Sequence, residues 1–159
     1  MPEFSSLKPA ILIALLLALA PPPALADDAQ SERLTVPASE RPVTVTRYAA
    51  AGGGKRAAVV IVHGINGITA QSMPHFARYA VALAAQGIDA YIVAYYSRDD
   101  LSGMESMERG HIMRTRFGPW TRVVADVVGY VLARPDSSQR IGLLGLSQGG
   151  FLSATPGWR

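Results

Sequence analysis

Ile141-Gly142-Leu143-Leu144-Gly145-Leu146-Ser147-Gln148-Gly149-Gly150 decides how the rest of the chain is read. The apolar residues Ile141 to Leu144 suit a buried strand, and Gly145-Leu146-Ser147-Gln148-Gly149 spells G-x-S-x-G. That pattern turns a strand sharply into a helix and leaves a serine at the tip of the turn. Only small neighbours fit around so tight a bend, which gives Gly145 and Gly149 a steric reason to be there.

A serine hydroxyl is a poor nucleophile until a base takes its proton. At an elbow, the helix that begins near Gln148 points its N-terminus at the reacting oxygen and favours developing negative charge. The backbone N–H of Gln148 is one candidate oxyanion donor, and the second comes from the loop after an earlier strand. Ile65, just past His63-Gly64, is in the right place. Removing one such donor typically costs about 3 to 4 kcal/mol of transition-state stabilisation.

Working back from the elbow, the chain alternates strands and helices. Residues 27–42 are largely polar and are read as an extended N-terminal arm. Val43 to Tyr48 alternates apolar and polar residues and predicts a strand with one wet face. Gly52-Gly53-Gly54 makes a turn. Ala57 to Val62 is a valine-rich run suited to a parallel strand buried on both faces. Ser72 reads as an N-cap with Pro74 in the first turn. Phe76, Tyr79, Ala80, Leu83 and Ala84 form one helical stripe, closed by Gly87. Ile88 to Tyr96 is the next strand. Ser97 to Arg116 reads as a long polar loop, and Pro119 as the first turn of a second helix. That helix carries Trp120, Val123, Val124, Val127, Val128, Val131 and Leu132 at three- and four-residue spacing. Such alternation predicts an α/β domain over residues 43–159, with a mostly parallel sheet and helices on both faces.

Composition agrees with a packed domain. Of 159 residues, 49% are apolar and 17% charged, enough apolar surface for a core. The net charge is +3, with 13 arginines and 2 lysines but no basic run. That excludes nucleic acid as the expected partner. Residues 1–26 read as a Sec-type signal peptide: Lys8, the apolar stretch Ala10 to Ala20, then Ala24-Leu25-Ala26 before the expected cut. The apolar stretch falls short of the roughly 20 residues that span a bilayer. There is no cysteine to form a disulfide or accept a lipid. The expectation is a periplasmic or secreted protein with no stable membrane anchor after cleavage.

No cofactor or metal is expected. Gly52-Gly53-Gly54-Lys55 is not a phosphate loop, because Arg56 stands where Ser or Thr is needed and the glycines precede a strand. No His, Cys or carboxylate cluster has ligand spacing.

With these residues in place, the chain resembles the α/β-hydrolase superfamily, and within it the dienelactone hydrolase group. The resemblance covers about Val43 to Leu152. It rests on Val59-Val60-Ile61-Val62-His63-Gly64-Ile65-Asn66-Gly67, on Ala90 to Tyr96 with Ser97-Arg98, and on Ile141 to Gly150. It implies Ser147 as nucleophile, Ile65 and Gln148 as oxyanion donors, and Arg98 as a contact for an acidic substrate. Two departures stand out. Ser147 replaces the cysteine of true dienelactone hydrolases, and Gly64 replaces a glutamate that restrains that thiol. Both point to a serine esterase or general acyl hydrolase for a small-molecule ester.

In this fold the order is Ser, then Asp or Glu, then His. Neither an acid nor a histidine follows Ser147. The expectation is therefore the N-terminal half of an α/β-hydrolase fold with the later strands missing, a truncated or frame-shifted chain that is inactive alone. Pro156-Gly157 would end the elbow helix early. Among earlier residues, His63 is expected to hold the oxyanion loop, and His75, His111 and Asp126 to be solvated. The loop with Met104, Met107 and Met113 is a candidate acyl pocket, with ordinary loop packing its default role. An elbow strand left at a sheet edge would invite self-association. The alternatives are a non-catalytic fragment, or a periplasmic acyl-ligand binder in which the elbow survives as packing.

Overall fold

The computed structural model describes residues 31–155. The expected signal peptide with its expected cut after Ala26, the start of the expected arm and Pro156-Gly157 lie outside the described residues. Among the described residues there are five strands: β1 (Ser31–Val36), β2 (Val43–Tyr48), β3 (Arg56–Val62), β4 (Asp89–Val93) and β5 (Ser137–Gly145). Four helices accompany them: α1 (Met73–Ala85), α2 (Arg98–Glu105), α3 (Arg109–Leu132) and α4 (Gln148–Ser153).

The strands form one sheet in the order β1-β2-β4-β3-β5. β3 pairs in parallel with both β4 and β5, while β2 runs antiparallel to β1 and β4. The expected mostly parallel α/β sheet is present, and its parallel core follows from crossover helices between β3, β4 and β5.

The side-chain period of two sorts the strands between two cores. Ile61, Ala90 and Ile92 face α1, where Phe76, Ala80 and Leu83 cover them. Val60, Val62, Tyr91 and Val93 face the other way onto Trp120, Val123, Val124, Val127 and Val131 of α3. Helices thus cover both faces. Tyr79 departs from the expected α1 stripe: it is exposed, with its ring edge against His75. It lies at the margin of the stripe, where helical spacing alone does not decide burial.

Further expectations need correction, beginning with the strand expected over Ile88 to Tyr96, which spans only Asp89–Val93. Part of the presumed arm is β1, which pairs with β2 over its whole length and buries Val36. Backbone pairing holds it, so its polar side chains gave little warning. The presumed loop from Ser97 is mostly helical. Ser97 and Asp100 form a reciprocal capping box that starts α2, with Asp100 N donating to Ser97 Oγ at 3.0 Å and Ser97 N donating to Asp100 Oδ2 at 2.8 Å. The buried Asp100 carboxylate also accepts from Arg116 Nε at 2.9 Å and Trp120 Nε1 at 3.1 Å, which ties α2 to α3. Finally, α3 begins at Arg109, so Pro119 sits inside it and not in its first turn. The helix tolerates one missing N–H donor because Trp120 and the valines beyond it are anchored in the core.

At the N-terminal ends of the parallel strands lies an ion-pair cluster. The buried Asp89 carboxylate accepts from Arg47 Nη2 at 2.7 Å, from Arg56 Nε at 2.8 Å and from Ala50 N at 2.9 Å. Asp136 accepts from Arg47 and Arg134 beside it. This cluster closes one end of the sheet and leaves the other end, where β3 and β5 terminate, for the elbow.

Candidate active site

β5 delivers its last residues alongside the end of β3: Leu146 N donates to Val62 O at 3.0 Å. The chain then reverses into α4 through Ser147, which adopts φ 53° and ψ −117°. A left-handed φ in a residue with a Cβ is strained, by roughly 1 to 3 kcal/mol, and persists only where the surroundings enforce it. Here they do. A Cβ on Gly145 would overlap the Gly149 carbonyl, and one on Gly149 would overlap Val62 O and His63 O. Leu152, fully buried, pins α4 into the core. Ser147 itself is exposed at the tip. Gly145, Gly149 and Ser147 thus form the sharp strand-to-helix turn expected of them.

The loop after β3 packs against this turn. A Cβ on Gly64 would stand 3.3 Å from the Ser147 Cβ. His63 is fully buried, its ring stacked 3.8 Å from Tyr95 at 6° and edge-on to Tyr96 at 4.7 Å. Its Nδ1 lies 2.8 Å from Gly64 O. A carbonyl only accepts, so Nδ1 carries the proton and Nε2 the lone pair. Burial pushes the His63 pKa down from 6.5 to about 4, and the Gly64 hydrogen bond restores only part of that. The ring is therefore neutral at pH 7. Nε2 is buried without a partner among the described residues.

The expected oxyanion residues belong to the two segments that meet at Ser147. Ile65 follows Gly64 in the loop. Gln148 opens α4, so its N–H is one of the unpaired first-turn donors of a helix. The Gln148 side chain is buried and accepts from the Tyr96 hydroxyl at 2.9 Å through Oε1. Neither Tyr96 nor this bond could be read from sequence spacing, because the two residues come from separate segments, one after β4 and one at the start of α4.

The other candidates sit apart. Arg98 is exposed at the first turn of α2. His75 is exposed on α1 and accepts from Arg78 at 3.1 Å. His111 is exposed on α3. Asp126 accepts from Ser39 N and Ser39 Oγ, both at 2.7 Å, and so fastens the segment before β2 to α3. Of the three methionines, Met104 is buried, Met107 is fully exposed, and Met113 packs partly against the core.

A cavity of about 410 Å³ opens beside the loop after β3. Ile65, Leu101 and Met104 supply its apolar wall, Asn66 and Gln71 polar groups, and Glu105 and Arg109 both signs of charge. Arg109, which sequence reasoning passed over, reaches this cavity, and Arg98 is not among its lining residues. Among the described residues no group of three His, Cys, Asp or Glu side chains could hold a metal ion.

No family model and no curated protein matches the sequence. Solved structures do match. A dienelactone hydrolase from Anabaena variabilis superposes with a TM-score of 0.59 at 17% identity, over 78% of this chain and 56% of that one. A putative dienelactone hydrolase from Klebsiella pneumoniae gives 0.58 at 17%, over 76% and 50%. A hyperthermophilic esterase from Pyrobaculum calidifontis gives 0.59 at 20%, over 78% and 37%. At such identities the likeness is one of fold. The structural neighbours of this chain are dienelactone hydrolase-like α/β-hydrolases, and the chain spans about half their length or less.

Proposed function

We propose that this chain carries the nucleophile and oxyanion half of a serine acyl hydrolase that acts on esters or related acyl bonds. Ser147 Oγ attacks the carbonyl carbon, and the carbonyl oxygen takes up the negative charge between the N–H groups of Ile65 and Gln148. Collapse of the tetrahedral adduct expels the alcohol and leaves an acyl-serine, which water then hydrolyses. The observation that carries this reading is the Ser147 backbone. A strained φ of 53° enforced by Gly145 and Gly149 has no packing purpose, since the residue it presents is exposed. The esterase and dienelactone hydrolase names of the structural neighbours support the same reaction class.

The reaction also needs a base for the Ser147 proton. His63 is enclosed and weakly basic, and its Nδ1 already serves Gly64. His75 and His111 are exposed on α1 and α3. Residues 1–159 by themselves are therefore a poor catalyst, and turnover calls for an acid–histidine pair from outside them. A non-catalytic role, with acyl ligands held in the cavity lined by Ile65, Leu101 and Met104, is the second reading, and that part-apolar cavity favours it. The signal-like residues 1–26 support action in the periplasm or outside the cell.

Titration with phenylboronic acid tests the first reading without requiring turnover. A serine at an oxyanion site adds to boron and makes it tetrahedral. The ¹¹B resonance is expected to move to the tetrahedral position with the 159-residue chain and to stay trigonal with Ser147→Ala. Trigonal boron with both would contradict it. Binding that survives Ser147→Ala would favour the non-catalytic reading.

A further inference from the structure

The oxyanion site has two halves that belong to different segments. Ile65 lies in the loop after β3, and Gln148 at the start of α4. Their relative placement must be fixed to fractions of an ångström for both amides to meet one oxygen. We infer that Tyr96 is the positioning residue that locks the two halves together.

One side of the lock is direct. The Tyr96 hydroxyl donates to Gln148 Oε1 at 2.9 Å, in a fully buried contact. It holds the side chain whose own backbone N–H is the elbow donor. The other side runs through His63. The Tyr96 ring meets the His63 ring edge-on at 4.7 Å, and the Tyr95 ring stacks on the same His63 ring at 3.8 Å. Tyr95 also donates from its hydroxyl to His63 O at 2.9 Å. Held in this way, His63 presents Nδ1–H to Gly64 O, which Gly67 N also binds at 3.1 Å. In a trans peptide the C=O and the following N–H point in opposite directions. Fixing Gly64 O therefore fixes the Ile65 N–H away from the His63 ring.

The chemistry of the Tyr96 contact is that of a clamp and not of substrate binding. Tyr96 is buried, packed against Trp120 at 4.6 Å as well as His63, and its hydroxyl is spent inside the protein. Gln148 Nε2 has no partner among the described residues, and the Tyr96 hydroxyl is the side-chain partner that holds this amide there. Losing it frees the buried side chain of the residue whose backbone N–H is the proposed elbow donor.

This inference rests on the proposed function, and its test separates the two. The test uses the 159-residue chain with Ser147→Cys, since a thiol ionises without help from a base and the chain has no other cysteine. Two reactions are followed at the introduced thiol: acylation by p-nitrophenyl acetate, which forms an oxyanion, and alkylation by iodoacetamide, which does not. Adding Tyr96→Phe keeps the ring and removes only the hydroxyl. Acylation is expected to slow by about tenfold, with alkylation unchanged. Gln148→Leu is expected to give the same split, and the two changes together no more than either alone. Equal slowing of both reactions, or no slowing of acylation, would overturn the lock while leaving the elbow chemistry standing. If the Ser147→Cys parent itself acylates no faster than an exposed thiol, the proposed function fails, and the lock falls with it.

Discussion

Gly64 and Ser147 lie so close that a Cβ on Gly64 would stand 3.3 Å from the Ser147 Cβ and 3.1 Å from Leu146 O. Any side chain at position 64 therefore faces the elbow. In the Ser147→Cys chain, Gly64→Glu is expected to raise the thiol pKa by about one unit, because a carboxylate disfavours a nearby thiolate. Gly64→Ala serves as the size control and is expected to leave that pKa in place. The pH profile of iodoacetamide alkylation reads both. An unmoved profile in Gly64→Glu would mean that the loop and the elbow are not adjacent in solution.

The elbow glycines and a helical glycine should respond with opposite signs. Gly145→Ala and Gly149→Ala force a Cβ into backbone atoms that cannot swing aside. Each is expected to cost about 3 kcal/mol or more. Gly129, exposed within α3, has nothing within reach of an added Cβ. Gly129→Ala is expected to stabilise the chain by about 0.5 to 1 kcal/mol, through helix propensity. Urea unfolding followed by circular dichroism measures all three. A neutral Gly145→Ala would refute the close approach of β5 and α4.

His63 makes stability depend on pH. Its folded pKa of about 4 lies below the ordinary 6.5, so the unfolded chain binds the proton first. Stability is complete above pH 6.5 and falls as the pH drops towards 4, by about 3 kcal/mol in all. A second limb follows at lower pH. Burial alone would raise the Asp89 pKa, but hydrogen bonds from Arg56, Arg47 and Ala50 N hold it below the ordinary 3.8. Its contribution is present above 3.8 and is lost as the pH falls through the folded value. His63→Asn is expected to flatten the upper limb and leave the lower one. Unfolding midpoints between pH 3 and 8 supply the check.

Strand β5 meets β3 on one side and no other strand among the described residues. Its Ile141, Leu143 and Leu144 are only half buried. An open apolar edge of this kind pairs with other chains. We expect the 159-residue chain to sediment as a mixture of oligomers. Gly142→Lys, at an exposed β5 position, is expected to shift it towards monomer. A wild-type chain that sediments as a single monomeric species would refute this.

The sheet was legible wherever burial leaves a periodic trace. Val43 to Tyr48 alternates, Ala57 to Val62 runs unbroken, and Val123, Val124, Val127 and Val131 mark one side of α3. β1 left almost none, because backbone pairing to β2 holds six mostly polar residues. α2 was missed although its signal was present: Ser97 and Asp100 stand at capping-box spacing, but a polar, glycine-containing helix reads as a loop. Pro119 misdated the start of α3, since a proline that opens one helix looks the same as a proline tolerated inside another. At the site, Gly145, Ser147 and Gly149 were legible because sterics dictate residue type at a tight turn. Tyr96, Gln148 and His63 meet only in three dimensions, and no spacing in the chain announces them.

Acylation of Ser147→Cys measures most directly whether this elbow was built to attack a carbonyl. The comparison is with Ser102→Cys, a thiol at an exposed position on α2. At pH 8.5, p-nitrophenyl acetate is expected to acylate the thiol at position 147 about a hundredfold faster, since oxyanion donors stabilise only the former transition state. Equal rates at the two positions would contradict an oxyanion site between Ile65 and Gln148.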